Sequence, residues 1–139
     1  MHYLKVDRET FYRAVDQIPY RAQDIQEANE FGCTDIKACY DKAVHKFGKY
    51  FLVYDDLDVP IVTVMLQRDG HIIFFISNNV TNNLGLIRVL KALAESVTST
   101  CGAIITKTAY WYTEAQRLNK IIGFKDYILY DYHGLYVKE

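Results

Sequence analysis

Ser77, Asn78, Asn79, Asn82 and Asn83 crowd together just ahead of Gly85, where an amphipathic run begins. Amide and hydroxyl side chains beside the exposed N–H groups of a helix start suit an anion pocket, and the same composition suits an ordinary polar loop. Tyr110 and Tyr112 flank Trp111 later in the chain; they carry phenols that could donate a proton, or they form a rim of packed aromatics. His2, His45, His71 and His133 stand beside no acid or cysteine at a spacing that makes a metal centre or a catalytic triad. Asp55, Asp56 and Asp58 lack the longer oxygen-donor pattern of a calcium loop and read as a solvated turn. Cys33, Cys39 and Cys101 are odd in number without close paired spacing, which argues against a disulfide scaffold or structural zinc and predicts at least two buried thiols. No metal is expected.

The elements that must position these groups follow from periodicity. Residues 9–18 and 22–31 carry apolar positions at helical spacing, the second run ending at Gly32. Thr34 is placed to cap a third helix in which Ile36, Cys39, Tyr40, Ala43, Val44 and Phe47 share a side, ending at Gly48. The period then changes to that of strands in KYFLVYD, VPIVTVML and HIIFFIS, separated by polar turns, so an antiparallel meander over 49–77 is expected, with Pro60 near an edge or a strand start. A polar loop and a helix over 84–98 lead to a strand over 101–107, and a connection of that length predicts parallel pairing with 71–77. Thr113 to Gln116 read as a capping box for a helix with Ala115, Leu118, Ile121 and Ile122 on one face, stopped by Gly123, with two strands to finish. The fold class predicted is α/β, a mixed sheet with helices on both faces in a single domain over 1–139.

Composition narrows the function. A chain of 139 residues, 50% hydrophobic with a formal net charge of -1, has no basic field for phosphate backbones, so nucleic acid is not an expected partner. The N-terminus lacks the apolar core of a signal peptide and no apolar run approaches a bilayer span, so no membrane partner is expected, and a cytoplasmic or virion location is. Twelve tyrosines and seven phenylalanines exceed what one small core needs. The surplus predicts an aromatic patch around Tyr127, Tyr130, Tyr132 and Tyr136, able to pair subunits or dock a second protein.

The order of these elements resembles the Gcn5-related N-acetyltransferase (GNAT) superfamily, whose acyl-CoA N-acyltransferase fold takes acetyl-CoA between a strand and its diverging parallel neighbour. The family's pyrophosphate motif maps onto Asn82, Gly85 and Ile87, of which only Gly85 agrees. A later motif maps onto Ala115 and Leu118 before Gly123 and Phe124, departing at Tyr112, where the family often has Asn, and at Asn119, where it has the tyrosine that protonates the leaving sulfur. The resemblance implies that Phe75, Ile76 and Ser77 orient the pantetheine and that Asn82, Asn83, Leu84 and Gly85 receive the diphosphate. It further implies that Asn119 borders the coenzyme, that Tyr110 or Tyr112 supplies the proton, and that His71 could face the acceptor amine as a base. Without a cation at Asn82 or a small residue at position 87, weak or no binding of acetyl-CoA is expected of the isolated chain.

A narrower resemblance is to acetyltransferase-like proteins of tailed bacteriophages, carried by Arg21, Asp24 and Ile25 before Gly32, by Pro60 and Ile61, and by Ile122, Gly123 and Phe124. Two functions are implied: an acetyl-CoA-dependent N-acetyltransferase of unknown amine, or a non-catalytic relative acting in virion assembly or on a host protein.

Overall fold

The computed structural model describes residues 1–44, 48–130 and 132–139. The chain opens with β1 (His2–Val6), α1 (Arg8–Gln17), α2 (Ala22–Glu30) and α3 (Ile36–Ala43). The meander β2 (Gly48–Tyr54), β3 (Pro60–Gln67) and β4 (Ile72–Ile76) follows, then the long crossover helix α4 (Asn83–Cys101). β5 (Ile104–Ala109), α5 (Thr113–Ile122), β6 (Lys125–Leu129) and β7 (His133–Lys138) complete the chain. The strands form a four-stranded sheet in the order β1-β2-β3-β4 and a three-stranded sheet in the order β5-β7-β6, every ladder within them antiparallel.

Two cores sandwich the first sheet because alternate residues of each strand face opposite ways. Val62, Val64 and Leu66 of β3 pack with Leu86, Leu90, Leu93 and Val97 of α4, while Leu52, Met65 and Phe75 pack with Phe11, Val15 and Tyr40 of α1 and α3. The helix ends are held by short carboxylates. Asp7 accepts the Thr10 N–H at 2.8 Å, and Asp35 accepts the Ala38 N–H at 2.7 Å. Gly102 stops α4 with φ +86°, a conformation that a side chain would strain.

The meander and Pro60 as a strand start are as the periodicity predicts, and several expectations are corrected. β1 is an added strand on β2, where only helices are expected before residue 48. The cap of α3 is Asp35, not Thr34, and α3 ends at Ala43; Phe47 and His45 lie outside the described residues. Cys101 closes α4 rather than opening β5, because the helix runs on to Gly102. The capping box at Thr113 does not form: Tyr112 is the N-cap, and Gln116 Nε2 instead donates to the carbonyls of Ala109 and Tyr110. Ile121 is exposed, Ile122 having taken the buried side of α5. Of the thiols only Cys33 is buried, Cys39 being half-buried and Cys101 exposed. In the aromatic patch, Tyr127, Tyr130 and Tyr132 are exposed, but Tyr136 at 2% exposure belongs to the core, because it shares with Gly134 the inward face of β7.

Candidate active site

The expected parallel pairing of β4 and β5 is confined to their start. The Ile105 N–H donates to the Gly70 carbonyl at 2.9 Å, and His71 and Ile105 form one parallel bridge before the strands part into separate sheets. Which backbone groups face the cleft follows from the β3–β4 ladder. The His71 carbonyl accepts from Gln67 N–H at 2.7 Å and the Ser77 N–H donates to the Ile61 carbonyl at 2.8 Å, so odd-numbered residues of β4 are spent on β3. The N–H and C=O groups of Phe74 and Ile76 therefore turn towards β5.

α2 crosses the wide end of this cleft. Asp24 accepts the Ile76 N–H on Oδ2 at 2.7 Å and the Tyr112 hydroxyl on Oδ1 at 2.6 Å, while the Arg21 N–H donates to the Ile76 carbonyl at 3.0 Å. One carboxylate thus ties α2, β4 and the head of α5. One helical turn on, Glu27 Oε2 accepts the Ala109 N–H at the end of β5 at 2.9 Å, and beyond it Glu30 accepts the Trp111 indole N–H. Spaced three apart, the three acids lie along one side of α2.

A cavity of about 310 Å³ fills the cleft, at the lower end of small-molecule sites. Its lining includes Phe74, Phe75 and Ile76 of β4, Thr106, Lys107 and Thr108 of β5, Asp24 and Glu27 of α2, and Ala115, Leu118 and Asn119 of α5, with Tyr112 between. Asn119 is 1% exposed; its Nδ2 donates to Thr108 Oγ1 at 2.8 Å and its Oδ1 has no hydrogen-bond partner among the described residues. A buried carboxamide with an unsatisfied oxygen is costly unless something donates to it.

Burial sets the electrostatics. It pushes the Asp24 carboxyl above its ordinary range, against the hydrogen bonds from Tyr112 and Ile76. It pushes Glu27 up to about 7, opposed by the Ala109 N–H and by Lys107 and reinforced by Asp24 and Glu30. The Tyr112 phenol is held well above its usual value, by burial first and then by the Asp24 charge. Lys107 Nζ lies 3.9 Å over the Phe31 ring at the rim.

Of the residues singled out in the sequence, Phe75, Ile76, Tyr112, Asn119 and His71 line the cavity. Ser77, Asn82, Asn83, Leu84, Gly85 and Tyr110 are not part of its lining. Asn82 caps α4, its Oδ1 accepting the Gly85 N–H at 2.9 Å, so that amide is already engaged. Ser77 is buried, with Oγ accepting the Asn79 N–H at 3.1 Å, and Tyr110 holds the Tyr132 carbonyl through its own N–H at 3.1 Å. Glu27 and Lys107 escaped the sequence reading. The available signal was Asp24 and Glu27 sharing the side of α2 that buries Ala28. Among the described residues no group of three or more His, Cys, Asp and Glu side chains is arranged to hold a metal ion, and no helix is long and apolar enough to cross a membrane.

No protein-family model and no curated protein matches the sequence. Solved structures do match its fold. AAC(6')-Ib in complex with Parmomycin and AcetylCoA superposes with TM-score 0.71 at 14% identity, covering 99% of this chain and 92% of that one. Spermidine N-acetyltransferase from Vibrio cholerae, in complex with CoA and spermine, gives TM-score 0.63 at 12% identity, covering 97% and 91%. Ribosomal-protein-S5-alanine acetyltransferase from Vibrio fischeri gives 0.62 at 13%, covering 99% and 93%. With its meander, its crossover helix and two strands that part around a lined cleft, the chain has the mixed α/β fold of the GNAT superfamily of acetyltransferases.

Proposed function

We propose that this chain is an N-acetyltransferase that moves an acetyl group from acetyl-CoA to an amine. The observation that carries the reading is the cavity between β4 and β5, with the Phe74 backbone turned into the cleft and the orphan Asn119 oxygen in its wall. The amide N–H groups of a pantetheine arm are donors suited to such an oxygen and to the Phe74 carbonyl, and the Phe74 N–H suits an amide carbonyl. The coenzyme supplies an activated acyl thioester; the protein has only to orient it, exclude water and manage protons. Phe75, Ile76 and Tyr112 belong to the lining; we assign the arm's wall to the first two and the proton for the departing sulfur to Tyr112, whose hydroxyl must turn from Asp24 to deliver it. Tyr110 is the less favoured donor, being outside the lining. At the diphosphate end Asn82, Asn83, Leu84 and Gly85 form the head of α4, where the Gly85 N–H is spent on Asn82 and the earlier N–H groups face the anion without a cation. The thioester end fits better than the diphosphate end.

Calorimetry of the full chain against acetyl-CoA tests this. One site with a dissociation constant weaker than about 1 μM is expected, and Tyr112→Phe should keep that binding while losing turnover. No heat at millimolar coenzyme defeats the proposal. It would favour the second reading, a non-catalytic GNAT-like protein, phage-borne and acting in virion assembly or on a host protein. That reading is supported by the engagement of the Ile76 N–H by Asp24 and by exposed apolar residues near the C-terminus, Tyr127 at 57%, Leu129 at 64% and Tyr132 at 84%, which suit a homodimer or a docked partner.

A further inference from the structure

Two thiols share the wall of the cleft, and acetyl transfer gives neither a task. Cys33 follows Gly32 at the end of α2 and is 6% exposed, while Cys39 stands near the start of α3 and is half-buried. Both line the cavity, and Cys39 packs against the core cluster that includes Cys33. A residue just ahead of a helix cap folds back onto the first turns of the helix, which brings position 33 to position 39 across the Asp35 cap. The thiols meet there: after burial itself, Cys33 is the neighbour that most pushes the Cys39 thiol above its ordinary value. The turn that presents them is pinned at three points. The Cys33 N–H donates to the Ala28 carbonyl at 2.9 Å, Lys42 Nζ donates to the Gly32 carbonyl at 3.2 Å, and Asp35 accepts the Ala38 N–H at 2.7 Å.

We propose that Cys33 and Cys39 form an oxidative modification site on the α2–α3 side of the cleft: a hydroperoxide entering the cavity joins them in a disulfide that ties the end of α2 to α3. The site needs the cavity and not the coenzyme, so it stands apart from the acetyl-transfer reading. The electrons balance. The half-buried Cys39 sulfur attacks the peroxide, an S–O bond forms, the O–O bond breaks, and the hydroperoxide leaves as an alcohol or, from hydrogen peroxide, as water. The Cys33 sulfur then attacks the resulting sulfenic acid, the S–S bond forms as the S–O bond breaks, and hydroxide takes the Cys33 proton to leave as water. Two thiols are oxidised and one peroxide is reduced. Burial keeps Cys39 protonated at rest, and the Lys42 and Lys107 ammonium groups oppose that by favouring the thiolate that attacks. Because both sulfurs and Lys42 belong to the lining, closing the bond reshapes the cavity wall next to Phe31.

Full-length Cys101→Ser chain treated with excess hydrogen peroxide tests this, the substitution removing the exposed thiol that would bridge separate chains. The intact mass should fall by two hydrogens and both remaining thiols should become unreactive in denaturant until dithiothreitol is added. Trypsin cuts after Arg21, Lys37 and Lys42, so the peptides 22–37 and 38–42 should leave joined and separate on reduction. A short loop closed within a pinned turn should raise the melting temperature by about 5 °C or more, reversibly. Thiols that stay free, oxygen atoms gained without the joined peptides, or a bridge between two chains overturns the proposal. A melting temperature that does not rise overturns it too, since the thiols would then meet only when the turn opens. Cys33→Ala in the same background keeps the buried position apolar and leaves oxidised Cys39 without a partner, so dimedone should trap its sulfenic acid in this chain at a several-fold higher yield. Equal dimedone yields in the two chains refute the pairing.

Discussion

Tyr112→Phe removes one oxygen atom and tests the joint on which the cleft depends. The hydroxyl donates to Asp24 at 2.6 Å, and the other Asp24 oxygen is held by Ile76 N–H at 2.7 Å, so the variant leaves a 5% exposed carboxyl with half its recorded partners. A hydrogen bond to a charged group contributes about 1.5–3 kcal/mol, and water entering the adjacent cavity can replace part of it, which places the loss at about 1.5–2 kcal/mol. At roughly 2.1 cal/mol/K of unfolding entropy per residue, a chain of this length should melt about 5–7 °C lower. The pH dependence carries a sign. Burial raises the Asp24 carboxyl above its unfolded value and the Tyr112 bond pulls it back by favouring the ionised form, so the variant's carboxyl rises further. The deficit is therefore full where Asp24 is ionised in both proteins, and it shrinks as the pH falls through the raised Asp24 values and a neutral carboxyl no longer needs the donor. Thermal unfolding followed by circular dichroism at pH 8 and pH 5 measures both. A deficit below about 1 °C at pH 8, or one that grows towards acid, would refute the account of Asp24 as a buried joint.

Two further predictions concern the frame around the cleft. Tyr40→Phe keeps the ring between Phe11 and Phe75 but removes a hydroxyl that donates to the Thr63 carbonyl at 3.0 Å and meets Thr63 Oγ1 at 2.8 Å. A loss of about 1–2 kcal/mol is expected, read as a lower urea midpoint at unchanged slope. Gly123→Ala should cost about 1–2 kcal/mol in the same assay, because φ is +117° at the end of α5, a conformation that a Cβ strains, while the Lys138 Nζ it would approach can swing aside. A neutral result there would mean that the helix end can relax into an ordinary conformation.

What the sequence discloses and what it hides divide along the range of the interactions. The meander and α4 were readable because each carries its own period, and the partial motif at Ala115, Leu118, Gly123 and Phe124 does mark a helix against the cleft. β1 was not, since HYLKV buries no residue fully and is a strand only because β2, some fifty residues later, offers an edge. Spacing suggested a box at Thr113, yet the helix starts with Tyr112 as its cap, and Tyr112 is drawn inward by an acid on α2. β6 is one of the two closing strands expected, and all five residues of KDYIL, Tyr127 of the expected patch among them, are exposed, because β6 is the outer strand of a three-stranded sheet. The acids of the cleft were hidden by distance along the chain, as Ala109 and Tyr112 stand 82 and 88 positions from Glu27 and Asp24. They were not hidden by chemistry. A helix that turns Asp24 inward beside Ala28 spends more free energy desolvating a carboxylate than an apolar residue there would cost, unless donors await it. Two of those donors are the Ile76 amide of β4 and the Tyr112 hydroxyl at the head of α5, one on each side of the cavity, so the position that weakens α2 as a packing helix makes it the bridge across the cleft.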